Sequence, residues 1–168
     1  MKIFELGSFK LPALAHLDFD QSYEPIGPES ILRAVSGRGI KQMTYARTRI
    51  VTSASGWVPS GLQSIDVTQQ HVMRCIHPES LPANFATRQA TLLAGGYRTD
   101  AGHAPWGLAE MANGSTVSTP VTMAGDVATV ASVSGATAYQ IGYFPIFNVY
   151  VQRPTRTGFG WELTAEEV

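Results

Sequence analysis

The chain has 168 residues, of which 44% are hydrophobic and 15% are charged, and its formal net charge is -1 at pH 7. This length predicts a single β-rich domain, residues 1–168, large enough to bury a core. The near-neutral charge gives no global field that would attract nucleic acid or an anionic membrane. The one cysteine, Cys75, excludes an internal disulfide framework and indicates assembly in a reducing cytoplasm.

The N-terminus has no uninterrupted apolar region of the kind found in signal peptides. No window of the sequence approaches the ~18 apolar residues that a membrane-spanning helix requires. We therefore expect neither a signal peptide nor membrane insertion.

Short alternating segments, separated by Gly, Pro, Ser and Asn, run along the chain and are typical of β-strands. The predicted strands are residues 2–6, 14–19, 31–35, 40–52, 69–76, 87–93, 116–123, 127–133, 137–151 and 159–164. Glycine-containing connections predict hairpins at 36–39 and 124–126. Prolines and β-branched residues interrupt every helical window, and the best helical candidate is a short turn over residues 106–111. The expected fold is an all-β, antiparallel sandwich or barrel-like domain with an inserted hairpin region and little helix.

Residues 115–151 contain a strand, a tight turn, a second strand and then the run SGATAYQIGYFPIF. That run resembles the region between two early strands of fibronectin type III-like domains, where a small-residue turn precedes a strand with a buried tyrosine. We interpret residues 115–151 as a sandwich-like sub-module, inserted in or packed on the main sheet.

Residues 40–52 carry many cations for a chain with so few charges. At period two, one face includes Ile50 and can enter a core, whereas the other carries Lys41, Arg47 and Arg49. The second face is either a solvated sheet surface or a docking surface.

Histidines and a cysteine that could bind a metal lie close in sequence at His71, Cys75 and His77. On a strand they share one face, but about 13 Å separates the first two, too far to share an ion. A buried cysteine with histidines at the strand rim is the expected arrangement. Asp18 and Asp20 also share a face, and aspartates at a strand end more often begin a turn than perform acid–base chemistry.

His103, near Asp100, could be imagined as a general base. A histidine in such a loop is more often solvated or locally hydrogen-bonded. The sequence contains no nucleophile elbow, no HExxH motif, no phosphate-binding loop and no dinucleotide fingerprint. We therefore expect no enzyme, no cofactor and no metal.

Trp57 lies in the segment TSASGWVPSGLQSID, whose Gly56, Pro59 and Gly61 predict an irregular backbone. A tryptophan in such a loop either closes the end of a barrel or contacts a neighbouring subunit.

Three segments, GIKQMTYARTRIVTSASGWVPSGLQSID, RTDAGHAPWGLAEM and GFGWELTAEEV, together resemble the small tail-tip and baseplate proteins of long-tailed bacteriophages. The resemblance spans most of the chain and its motifs are structural. It implies a distal-tail-like structural protein that forms a ring between the tail tube and the tip complex. Its expected partners are further copies of itself and tube, hub or fibre proteins, in a virion assembled in the host bacterial cytoplasm.

A ring subunit must present complementary surfaces to its neighbours, and the acidic C-terminus of one copy could face the basic strand of the next. The candidate interface residues are Lys41, Arg47, Arg49, Trp57, Pro59, Glu162, Glu166 and Glu167. The alternative is that both charged segments are only solvated.

A second functional class stays open, namely a stand-alone carbohydrate- or receptor-binding β-domain that uses Trp57, Trp106 or exposed tyrosines. The low charge content and the apolar strands favour the assembly subunit, because an obligate interface can remain apolar.

Overall fold

The computed structural model describes residues 3–11, 18–33, 36–43 and 45–168, without the side chains of 29–32, 39–43 and 157. The described part is all-β, as predicted, and contains one short helix. No helix within it is long and apolar enough to cross a membrane. The chain forms two compact units: unit 1 comprises Met1–Lys10 and Val72–Phe147, and unit 2 comprises Leu11–His71 and Asn148–Val168.

The elements follow one another as short strands joined by turns. Their bounds are β1 Glu5–Leu6, β2 Phe9–Lys10, β3 Asp20–Ile26, β4 Glu29–Arg33, β5 Gly39–Met43, β6 Arg47–Ser55, α1 Ser60–Gln63, β7 His71–Arg74, β8 Glu79–Ala83, β9 Gln89–Thr91, β10 Trp106–Met111, β11 Thr116–Thr119, β12 Val121–Ala124, β13 Val127–Val130, β14 Ala136–Tyr143, β15 Ile146–Val151, β16 Thr155–Thr157 and β17 Gly160–Glu167.

Unit 1 is built from antiparallel sheets with the strand orders β2-β1-β7, β11-β10-β14-β8 and β12-β13-β9. Alternate residues of the last two sheets point into one apolar cluster, as the period of a half-buried strand requires. The buried members of that cluster are Leu92, Ala109, Ala128, Val130, Tyr139 and Ile141.

The segment predicted to be helical, Trp106–Met111, is instead strand β10, so that prediction was wrong. It pairs with β14 on one side and β11 on the other. A Cβ on Gly107 would lie 2.6 Å from Cγ1 of Val130, and one on Gly142 would lie 2.5 Å from the indole of Trp106. Glycine is therefore needed at both positions, because neighbouring side chains leave no room for a Cβ.

The buried tyrosine predicted within residues 115–151 is confirmed. Tyr139 is 6% exposed. Its hydroxyl accepts a hydrogen bond from the Val133 N–H at 3.0 Å and donates one to the Val133 carbonyl at 3.2 Å. Residues 115–147 of the predicted sub-module lie in unit 1, together with β8, β9 and β10, whereas residues 148–151 belong to unit 2.

Unit 2 contains the antiparallel order β15-β17-β6-β3, with β16 also paired to β17. Strands β6 and β17 alternate between buried and partly exposed residues along most of their length. Their buried side chains include Ile50, Ala54, Trp161, Leu163 and Ala165, which form the apolar face of this sheet.

Three long predicted strands are each divided in the structure. The strand predicted over residues 40–52 corresponds to β5, which pairs with β4 alone among the described strands, and to β6, which belongs to the main sheet of unit 2. Pro120 separates β11 from β12, and Pro145 lies in the break between β14 and β15, because proline cannot donate to a strand ladder. The β4–β5 hairpin and the β12–β13 hairpin are both confirmed.

Five strands were not predicted, namely β2, β3, β8, β10 and β16. The predicted strand at residues 14–19 lies mostly outside the described residues. The sheets that the structure describes are open, which fits the sandwich-like alternative and not the barrel-like one. The single domain that the length predicts stays a prediction.

We predict that Tyr139→Phe destabilises unit 1 by about 1–3 kcal/mol, because the partly buried N–H of Val133 loses its acceptor. Tyr150→Phe is the matched control, since Tyr150 is 46% exposed. Loss of the Tyr150 hydroxyl should change the free energy of unfolding by less than about 0.5 kcal/mol. Urea denaturation of both variants measures the difference, and equal midpoints would contradict the structural role of the buried hydroxyl.

Candidate functional site

Trp57 projects from the loop between β6 and α1. Its side chain is 82% exposed. Val58, the next residue, and Leu62 in α1 are buried and anchor the loop. Gly56 turns the chain before it with φ +94, a value that favours glycine. Pro59 is structural here, because its carbonyl accepts the first N–H bonds of α1. Of the two roles predicted for Trp57, closing the end of a barrel is excluded.

Phe159 lies at the turn between β16 and β17 and is 97% exposed. Gly158 before it has φ +59. The N–H of Gly56 donates a hydrogen bond of 2.6 Å to the carbonyl of Phe159 and so joins this turn to the loop of Trp57. The sequence prediction placed Phe159 at the start of a strand and missed its exposure, although the flanking glycines in TGFG are typical of a turn.

Arg156 completes this group. Its guanidinium carbon lies 5.3 Å from the centroid of the Trp57 ring, within the range of a cation–π interaction. We call Trp57, Arg156 and Phe159 the aromatic tip. Tryptophan and arginine are the residue types that most often dominate binding energy at protein interfaces, and exposed aromatic side chains at loop ends are typical of binding surfaces.

Of the two-faced strand predicted over residues 40–52, the part on β6 has the expected alternation. Ile50 is fully buried, whereas Arg47 is exposed and Arg49 is partly exposed. The side chain of Lys41 lies outside the described residues, and its strand, β5, is not part of the same sheet. Lys41, Arg47 and Arg49 therefore do not form one continuous strand face as predicted.

The acidic partner of Arg49 lies on its own chain. Nε and Nη2 of Arg49 donate to Oε1 of Glu166 at 3.1 and 3.0 Å, and Nη1 lies 3.6 Å from Oε2 of Glu24. Glu167 accepts a hydrogen bond of 2.9 Å from the backbone N–H of Thr48. Glu166 and Glu167 were predicted either to face the basic strand of another copy or to be solvated; within this chain each contacts strand β6.

Glu162 lies on β17 at the position that pairs with Ser53 and Thr155, and it is partly exposed. It belongs to the face opposite the buried Trp161. The structure therefore brings Trp57 together with Arg156 and Phe159, and Arg49 with Glu166, but it does not unite the eight predicted interface residues.

A buried charged cluster lies in unit 1. The side chain of Arg98 is 2% exposed and binds the Asp100 carboxylate with two bonds, from Nε at 3.0 Å and Nη2 at 2.8 Å. Its Nη1 donates to the carbonyls of Ile3 at 2.8 Å and Cys75 at 3.2 Å. Hydrogen bonds from Arg98 are the main cause that lowers the pKa of Asp100 to about 2.

His103 belongs to the same cluster. It is 3% exposed, its Nδ1 lies 2.6 Å from Oδ2 of Asp100, and its ring meets Phe144 edge-on. The solvated alternative for His103 was wrong, and the locally bonded one is confirmed. Arg98 and His103 are buried and both contact the carboxylate of Asp100, which is 38% exposed, so the cluster ties segments of unit 1 together.

Three of the residues considered for metal binding or acid–base chemistry, Cys75, His71 and Asp18, are buried or make local contacts within the fold. Cys75 is fully buried, as predicted, and His71 contacts the carbonyl of Asp66 at 2.7 Å through Nε2. The hydroxyl of Ser55 donates to Asp18. Among the residues that the structure describes, no three His, Cys, Asp or Glu side chains are grouped as metal ligands.

Comparisons with known proteins add no relative. A scan against protein-family models finds no match, and neither a search of curated proteins nor a search of solved structures finds one.

We predict that Asp100 makes stability depend on pH in the acid range. A carboxylate with a lowered pKa stabilises the fold fully above its unfolded value of about 3.9, and this contribution is lost as pH falls through about 2. The melting temperature of the parent should therefore fall between pH 4 and pH 2 more steeply than that of Asp100→Asn. At pH 7 the variant should be less stable by about 1–2 kcal/mol. The loss is small because Asp100 is 38% exposed, so that solvent screens its interaction with Arg98. Parallel curves would contradict this role.

We also predict that Arg49→Glu lowers stability by about 0.5–1 kcal/mol, because it places a third acidic side chain between Glu24 and Glu166. Adding Glu166→Arg should restore part of the loss. Arg47→Glu is the control and should be near neutral, since its one side-chain hydrogen bond reaches the adjacent Ala46 carbonyl. Denaturation midpoints of the parent, Arg49→Glu, Glu166→Arg and the double variant give the coupling energy, with Arg47→Glu measured alongside, and a zero coupling would show that the pair adds nothing.

Proposed function

We propose that this chain is a non-enzymatic structural subunit of a bacteriophage tail that binds a neighbouring tail protein through the aromatic tip. The supporting observation is the exposure of Trp57 and Phe159, 82% and 97%, on two loops whose backbones are hydrogen-bonded to each other. Such loops are held in place before binding, so little conformational entropy is lost when a partner covers them. The tail assignment comes from the sequence resemblance, and the all-β fold agrees with it.

The aromatic tip replaces the charged strand as the proposed contact. Arg49, Glu166 and Glu167 are already engaged within one chain, so a second copy would have to break these bonds to use them. Trp57 and Phe159, in contrast, bury little surface in the single chain and would gain most from a partner. The ring form of the subunit is part of the same proposal, and light scattering of the purified chain tests it.

A carbohydrate-binding function is the second candidate, because an exposed indole can also stack on a sugar ring. One face of Trp57 is near Arg156, which leaves the rest of the ring for such a contact. A protein that stays monomeric and binds members of a glycan array would favour this candidate.

We predict that Trp57→Ala and Phe159→Ala each leave the fold intact but reduce incorporation into tails at least tenfold when expressed in place of the parent. The expected loss corresponds to hot-spot residues worth about 2 kcal/mol or more. Leu93→Ala is the matched control, because Leu93 is also exposed, 74%, but belongs to unit 1. Quantitative immunoblotting of purified particles measures incorporation, and circular dichroism checks the fold. Normal incorporation of both tip variants would reject the proposed contact.

A further inference from the structure

Among the described residues Arg156 makes no ion pair, unlike three other arginines. Arg49, Arg74 and Arg98 each lie within ion-pair distance of a carboxylate on the same chain. Arg156 is exposed, and within the described residues its one recorded contact is the ring of Trp57. The aromatic tip therefore carries a positive charge that no acidic side chain of the described chain balances.

From this arrangement we infer that the tip recognises a carboxylate flanked by an apolar side chain on another protein; the inference rests on the proposed docking function and specifies its partner. A guanidinium can stack on an aromatic ring while its five N–H groups stay available at its edge. That edge matches the two oxygens of a carboxylate, which it binds through paired, charge-assisted hydrogen bonds. Trp57 limits the positions that Arg156 adopts, which lowers the entropy lost when a carboxylate binds.

Trp57 and Phe159 indicate which side chain lies next to the carboxylate in the partner. Trp57 and Phe159 offer apolar surface on either side of the hydrogen bond between Gly56 and Phe159. An apolar side chain next to the carboxylate would cover that surface and remove water from the ion pair, which strengthens the pair. The segment that fits is an Asp or Glu adjacent to a large aliphatic or aromatic residue.

The acidic C-terminus of a second copy does not fit this description. Glu166 accepts from Arg49 and Glu167 from the backbone of Thr48, and both residues lie in strand β17. Releasing either carboxylate would unpair a group within its own sheet. The C-terminal residues Glu166 and Glu167 of a second copy are therefore not the complementary segment.

The test uses the full chain and two sets of synthetic 12-residue peptides on an array. In one set, a central Leu, Phe or Trp is flanked by Asp or Glu; in the other, Asn or Gln replaces each acid. We expect the parent to bind peptides of the acidic set at least tenfold more tightly than their amide counterparts. Arg156→Gln should abolish this preference, whereas Arg153→Gln, an exposed cation on the same connection, should keep it.

The outcomes separate this inference from the proposed function. If Trp57→Ala blocks tail incorporation but acidic and amide peptides bind equally, the carboxylate inference is wrong and the docking function stands. If Trp57→Ala and Phe159→Ala incorporate normally, the docking function fails, whatever the peptides do. Absence of binding to either peptide set, or binding to anionic vesicles or glycans in place of peptides, would also overturn the inference.

Discussion

The register between β6 and β17 determines most of what unit 2 presents to its surroundings. Seven residue pairs connect the two strands, from Gly160 opposite Ser55 to Glu166 opposite Arg49. Because antiparallel neighbours meet at opposite ends, the same pairing places the Trp57 loop beside the Phe159 turn at one end and Arg49 beside Glu166 at the other. A shift of one residue would separate both pairs and turn the apolar face outwards.

Two features make this register specific. The first is burial, since Trp161, Leu163 and Ala165 alternate along β17 and must share a face with the buried residues of β6. The second is Gly160, where a Cβ would lie 2.8 Å from the carbonyl oxygen of Ala54. The strands approach too closely at that point for another residue, so the last ladder position before the Phe159 turn is restricted to glycine.

The sequence predicts the class of the fold and much of its local pattern, because strand periodicity and turn glycines are local signals. The buried face of β6 and the two hairpins were predicted on that basis, whereas the buried tyrosine was expected from the resemblance to fibronectin type III-like domains. Strand β10 was not predicted, because Gly107 lowers its strand propensity. A glycine is needed at that position because Val130 on another strand lies so close to it. Such a contact between distant segments leaves no periodic trace.

The same distinction applies to the site. Trp57 could be predicted as a surface residue from its glycine- and proline-containing loop, but Arg156 and Phe159 lie about a hundred residues later and join it only through strand pairing. Arg49 pairs with Glu166 of its own chain, and the contact of the basic strand with another copy stays a prediction, because a sequence does not distinguish an intramolecular pair from an intermolecular one.

The arginines that form ion pairs within the chain differ in their surroundings from the arginine of the aromatic tip. Arg98 is paired inside unit 1, where an unpaired guanidinium would be costly, and Arg49 is paired at the sheet surface. Arg156 lies on the short strand β16 and is exposed to water, so the lack of an acidic partner among the described residues costs little. A charge that is inexpensive to leave unpaired in the free protein, beside exposed aromatic rings, retains its full capacity for a partner. The contact proposed for the aromatic tip therefore uses residues that do not contribute to the buried core.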